Sequence, residues 1–115
     1  MDSILLSSSF KYFIFMSKPI LYAFWSSSSS YRARIALNLK QIDYAYKPVN
    51  LAKKENYSAW YEKVNPFHKV PALVIDGHTL FESTAILEYL EETRSSGKRL
   101  LPDAAVARCH ARAIA

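Results

Sequence analysis

The stretch "VPALVIDGHTLF" (70–81) holds two apolar runs joined by Asp76 and Gly77. An Asp-Gly pair between such runs is a strong hairpin cue, because both turn positions take a positive φ that these residues tolerate. Two antiparallel strands are therefore expected, 70–75 and 78–81. Directly after them, "ESTAILEYLEETR" (82–94) has helical periodicity. Ala85, Ile86, Tyr89 and Leu90 make one face, and Glu82, Glu88, Glu91 and Glu92 stay mostly off it. Gly97 and Pro102 punctuate the chain beyond, and "AAVARCHARAIA" (104–115) predicts a further helix.

Upstream, "KKENYSAWYEKV" (53–64) places Tyr57, Trp60, Tyr61 and Val64 at steps of three and four, the pattern of a short amphipathic helix. It should stop at "NP" (65–66), since a residue before proline is pushed out of the helical region. "YAYKPV" (44–49) alternates and contains Pro48, which predicts a strand near a sheet edge. "PILYAF" (19–24) reads as a buried strand. Between these two strands lies "WSSSSSYRAR" (25–34). Its five serines fit a flexible linker by composition. They also precede a helical pattern from Tyr31 to Lys40, with Ile35, Ala36 and Leu39 on one face and Arg32, Arg34 and Lys40 largely off it, so they can equally cap a helix. A helix between the first two strands makes them parallel. The pattern predicts a four-stranded mixed sheet with helices packed on it.

Composition narrows the function classes. The chain has 115 residues, half of them hydrophobic, which fits one small packed domain. Its net charge of +5 comes from fifteen basic residues scattered among ten acidic ones, so it makes no basic stripe for nucleic acid. Cys109 is the single cysteine, which rules out an intrachain disulfide, and His68, His78 and His110 lack metal-ligand spacing. No metal is expected. Residues 1–15 carry two short apolar runs split by "SSSFK", too broken for a membrane span. Asp2 opposes a secretory signal, and no arginine precedes Arg32 as a transit peptide would want. Residues 1–15 are expected to be an extension outside the fold, with Met16 a more natural start.

With these residues in place, "NPFHKVPALVIDG" (65–77) followed by "ESTAILEYLEE" (82–92) resembles the N-terminal thioredoxin-like domain of glutathione transferases. "KPILYAFWSSSSSYRARIALNLKQIDY" (18–44) narrows the resemblance to the zeta class, whose enzymes act as maleylacetoacetate isomerases. That class carries Ser-Ser-Cys-Ser-aromatic-Arg-Val-Arg-Ile-Ala-Leu after its first strand. The similarity continues through "EYLEETR" (88–94) and "RLLP" (99–102).

The resemblance implies an α/β thioredoxin-like βαβαββα fold over 16–98. It also implies that 99–115 form a linker and the first helix of an all-helical C-terminal domain, of which only the start is present. Glutathione is the implied cofactor, a small electrophile the substrate, and a homodimer the assembly. Neither nucleic acid nor a membrane is an implied partner, and the implied location is cytoplasmic. Ser27 and Ser28 take the catalytic positions, where a hydroxyl and a helix N-terminus favour the thiolate of glutathione. Ser29, Ser30, Arg32, Asn56, Val70, Pro71, Glu82 and Ser83 fall on glutathione-binding positions. Pro71 is expected to be cis, with the Val70 backbone meeting the cysteinyl part of glutathione. Ser83 is expected on the γ-glutamyl carboxylate, and Glu82 on the amino group where the class usually has glutamine. Ser29 stands where the class has cysteine, which excludes a mixed disulfide through that residue. Two other readings stay open: a non-catalytic thioredoxin-fold module that binds glutathione or a protein, and a nucleic-acid binder using Tyr31, Arg32 and Arg34.

Overall fold

The computed structural model describes residues 17–114; the expected extension at 1–15 lies outside the described residues. Strand β1 (Ile20–Ala23) leads into helix α1 (Ser28–Leu39) and strand β2 (Ala45–Pro48). A short 3-10 turn (Glu55–Tyr57), helix α2 (Ala59–Val64), strands β3 (Ala72–Ile75) and β4 (His78–Phe81), and helices α3 (Ser83–Thr93) and α4 (Ala105–Ile114) follow. The sheet order is β2-β1-β3-β4. β1 pairs with β2 in parallel, while the β1–β3 and β3–β4 pairs are antiparallel. This is the expected mixed sheet, with the proline-bearing strand at its edge.

Alternation along the strands sorts side chains onto two faces. Leu21 and Ala23 of β1 and Leu73 and Ile75 of β3 point toward α1 and α3, where they meet Ala33, Ala36, Leu37, Ile86 and Leu90, all buried. On the opposite face Ala72 joins Val49 and the fully buried Tyr61 of α2. The hairpin turn follows its sequence closely. Asp76 and Gly77 both have positive φ, 52° and 78°, as a type I′ turn requires. The turn is then tied to α3. Arg94 grips the Asp76 carboxylate through both nitrogens, at 3.0 and 2.8 Å, and the Tyr89 hydroxyl donates to it at 2.6 Å. Burial opposes ionisation of Asp76, but the Arg94 and Tyr89 hydrogen bonds prevail and hold its carboxyl below the usual range.

Three expectations need correction. Ile35 and Leu39 of α1 face outward, 42% and 41% exposed, and the buried stripe is Ala33, Ala36 and Leu37. Ala33 and Ala36 let α1 lie against the sheet and α3, with Leu37 filling the space beside them. The segment 53–64 is not one helix: Ser58 takes an extended conformation, ψ 155°, and its hydroxyl caps α2 by accepting from the Tyr61 N–H. Tyr57 and Trp60 are consequently exposed, and Tyr61 is the residue of that set held fully in the core. On α3, Ala85 is exposed, and the buried positions are Ser83, Ile86 and Leu90.

A buried polar knot closes the far end. Lys40 is fully buried; its Nζ lies 2.6 Å from Glu91 Oε1 and donates to the Arg94 carbonyl at 3.0 Å. Gly97, at φ +64°, packs on this turn: a Cβ there would sit 2.1 Å from the Leu39 carbonyl oxygen.

Candidate functional site

Strand directions decide where the site forms. β1 and β4 run the same way, because each is antiparallel to β3. Tyr22, Ala72 and Phe81 stand in one row across the sheet. The exit of β1 into α1, the entry to β3 at Pro71 and the exit of β4 into α3 therefore share one end of the sheet.

At the first of these, the serine run is a helix start and not a spacer. Ser27 is the N-cap of α1, with φ −78° and ψ 120°, and its Oγ accepts the Ser30 N–H at 3.1 Å. That bond uses a lone pair of the hydroxyl and leaves its O–H able to donate. Ser28 is exposed in the first turn, and Ser29 is partly exposed beside it. Ser30 is fully buried, and its Oγ accepts the Phe24 N–H at 3.3 Å. That bond helps close the turn between β1 and α1, and Ser30 is set beneath the exposed serines of the same run.

At the second, the peptide bond between Val70 and Pro71 is cis. The loop ahead of it is shaped by two buried residues. The Tyr61 hydroxyl donates to the Lys69 carbonyl at 2.6 Å and Asn65 Nδ2 to the same oxygen at 2.9 Å, while Asn65 Oδ1 accepts the Phe67 N–H at 2.9 Å. Burial pushes the Tyr61 hydroxyl up to about 12, against a lowering by Asn65. Asn56 donates to the His68 carbonyl at 2.9 Å and so braces this loop from behind.

At the third, Glu82 occupies the N-cap of α3 at φ +68°, a region that side chains disfavour, and its carboxylate makes no capping bond. Ser83 follows, nearly buried, and the Arg32 guanidinium reaches across from α1 to donate to its Oγ at 2.7 Å.

These parts enclose an open cleft of about 810 Å³. Its lining includes Ser29, Val70, Pro71, Glu82 and Ser83 among the residues expected from sequence. Ser27, Ser28, Ser30, Arg32 and Asn56 stand outside the lining. The sequence reading missed Asn65, Phe67, Lys69 and Tyr89, which do line it. Only the "NP" break hinted at Asn65. Lys69 and Glu82 give the cleft one cation and one anion, a pattern suited to a zwitterionic or multiply charged ligand. Among the described residues, no helix is long and apolar enough to cross a membrane.

A sheet end bearing two helix N-termini and a cis-proline loop defines a thioredoxin-like, glutathione-transferase type of fold and site. The sequence model described as "Glutathione S-transferase, N-terminal domain" matches residues 17–92, and the chain belongs to that family. Within it, the similarity is to the zeta class. A probable maleylacetoacetate isomerase 2 of Drosophila melanogaster is 56% identical over 87 residues, 74% of this chain and 38% of that protein. A bacterial zeta-class maleyl pyruvate isomerase in its holo form superposes with a TM-score of 0.79 at 43% identity, covering 83% of this chain and 44% of the other. The maleylacetoacetate isomerase of Methylobacterium extorquens AM1, solved with malonate and GSH bound, gives the same TM-score, identity and coverage. The chain thus spans about two fifths of the length of the curated relative it matches.

Proposed function

We propose that this chain supplies the glutathione-binding half of a glutathione-dependent cis–trans isomerase acting on maleylacetoacetate-type substrates, with glutathione transferase activity. The carrying observation is the single cleft that joins Ser29, Val70, Pro71, Glu82 and Ser83 at one end of the sheet. The residues fit glutathione by charge. Ser83 and the first N–H groups of α3 receive the γ-glutamyl carboxylate, Glu82 the neighbouring ammonium, and the Val70 backbone the cysteinyl unit. Glutathione, when bound, supplies the thiol that attacks the electrophile. Ser27 donates its O–H toward that thiol at the N-terminus of α1, where partial positive charge favours an anion and lowers a thiol's pKa. Ser28 stands beside it in the same turn.

In this reading residues 16–98 form the glutathione-binding domain, and 99–115 are a linker and the first helix of a helical domain. The partner is a small electrophile, the assembly a homodimer, and the location cytoplasmic. What supports the catalytic reading over a non-catalytic module is the shared identity with isomerases on both sequence and structure. Calorimetric titration of glutathione into the full chain, with Ser83→Ala as the comparison, tests the site. Saturable binding that falls roughly tenfold in the variant is expected, the value of one hydrogen bond to a charged group. Absence of binding to a folded sample overturns the reading.

A further inference from the structure

We propose that Arg32 is a positioning residue for the carboxylate end of this cleft, acting through Ser83 and not on the thiol end of its own helix. The proposal rests on the glutathione reading above and assigns a role within that site. Arg32 sits in the first turns of α1, where a guanidinium opposes the helix dipole, so its placement there is not explained by helix stability. Its side chain leaves that helix and donates from one terminal nitrogen to Ser83 Oγ, 51 residues away, at 2.7 Å.

A serine hydroxyl has one hydrogen and two lone pairs. Accepting the guanidinium N–H occupies a lone pair and directs the remaining O–H elsewhere. Ser83 is 5% exposed and lines the cleft, so the O–H that remains is the one a ligand anion can meet. Without Arg32 the same hydroxyl could rotate to serve α3 or solvent. The neighbouring N-cap does not fix this end: Glu82 makes no side-chain capping bond, and its charge repels an anion. The guanidinium therefore fixes Ser83 as a donor. It also ties the N-terminus of α1 to that of α3, so the two ends of the ligand site are held in one register.

The test compares two ligands by calorimetry on five versions of the chain: wild type, Arg32→Met, Arg32→Lys, Ser83→Ala and the Ser83→Ala/Arg32→Met double variant. The ligands are glutathione and 4-aminobutyryl-cysteinyl-glycine, which lacks only the carboxylate of the γ-glutamyl unit. Arg32→Met is expected to weaken glutathione roughly tenfold, a charge-assisted hydrogen bond discounted for the exposed guanidinium. It should leave the carboxylate-free ligand within about twofold. A merely structural loss lowers both ligands alike, and that result overturns the proposal. In a Ser83→Ala background the further effect of Arg32→Met should shrink to about twofold, because Arg32 acts through that hydroxyl. A full, additive loss there overturns the proposal too. Arg32→Lys keeps a charged donor and should recover part of the affinity; circular dichroism checks that every variant is folded. If the wild-type chain binds neither ligand, the glutathione reading itself fails and takes this role with it, whereas glutathione binding indifferent to Arg32 removes the role alone.

Discussion

Replacing Lys40 by methionine tests the polar knot that fixes the end of the sheet opposite the cleft. Lys40 Nζ is fully buried, 2.6 Å from Glu91 Oε1, and Glu91's side chain is only 4% exposed. Methionine keeps most of the stem's volume and removes the charge. Glu91 would retain the Leu100 and Leu101 amides, at 3.0 and 3.1 Å, and Arg99 Nε at 3.0 Å. Removing one partner of a buried ion pair costs about 3–5 kcal/mol, and the retained donors place this case near about 3 kcal/mol. With a urea slope of about 1.5 kcal/mol per molar for a domain of this size, the midpoint should fall by about 2 M. Urea unfolding followed by circular dichroism at neutral pH measures it. The pH dependence gives a second reading. Burial works against ionisation of Glu91, but the Leu100 amide, Lys40, Arg99 and the Leu101 amide together lower it from 4.5 to about 2. A depressed folded pKa means stability that is present above about 4.5 and lost as pH falls toward about 2. In Lys40→Met that acid-side loss should be shallower and start from a lower plateau. A midpoint shift below about 0.5 M with an unchanged acid profile would refute the assignment of this pair as a stabilising lock.

Three further outcomes are expected. Ser27→Ala removes the α1 cap, which should cost about 1 kcal/mol in chemical unfolding; ultraviolet titration of bound glutathione should show its thiol pKa raised, and an unchanged value would exclude Ser27 as the donor. Gly97→Ala places a Cβ against the Leu39 carbonyl in a left-handed conformation. A loss of about 2 kcal/mol and a melting point lower by about 10 °C should follow, and a neutral result would contradict the close packing. Ser29→Cys puts a thiol on the cleft wall at a helix start, where thiolates are favoured. Incubation with glutathione disulfide should exchange one glutathione onto the introduced thiol, faster than onto the exposed Cys109; peptide mapping that finds Cys109 alone modified would show that Ser29 does not meet the ligand.

The sheet was legible because each strand announced itself locally. Asp76-Gly77 named its own turn, Pro48 named an edge, and the crossover through α1 set β1 and β2 parallel. Helix faces were less legible. Counting large apolar residues put Ile35 and Leu39 inside, yet α1 buries alanines because it lies close to the sheet and α3; the distance between elements is not written in one helix's pattern. The break at Ser58 escaped for a related reason, since Tyr57 and Trp60 keep helical spacing while the backbone turns. At the site, Ser29, Val70, Pro71, Glu82 and Ser83 came from the family's motifs and line one cleft. Ser30 Oγ and Asn56 Nδ2 stand outside its lining, where they meet backbone groups of Phe24 and His68. Arg32's link to Ser83 spans 51 residues, and no local pattern encodes such a contact.

The row Tyr22–Ala72–Phe81 explains why the site's parts arrive together despite their separation in sequence. Side chains in a strand alternate, so slipping β3 by one residue against β1 would turn Leu73 and Ile75 away from α1 and α3 and expose them. The core therefore enforces a single register. That register puts Ala23 beside the turn into α1, Pro71 one residue before Ala72, and Glu82 one residue after Phe81. The serine cap, the proline loop and the Ser83 turn follow from the same pairing without any contact among themselves being needed. What the core does not fix is the orientation of hydroxyls at these three ends. Polar contacts set it: Ser30 N–H on Ser27, Tyr61 and Asn65 on Lys69, and Arg32 on Ser83. Core packing and ligand geometry thus rest largely on different residues, with Tyr61 serving both, and Arg32→Met should change binding while leaving the fold largely intact.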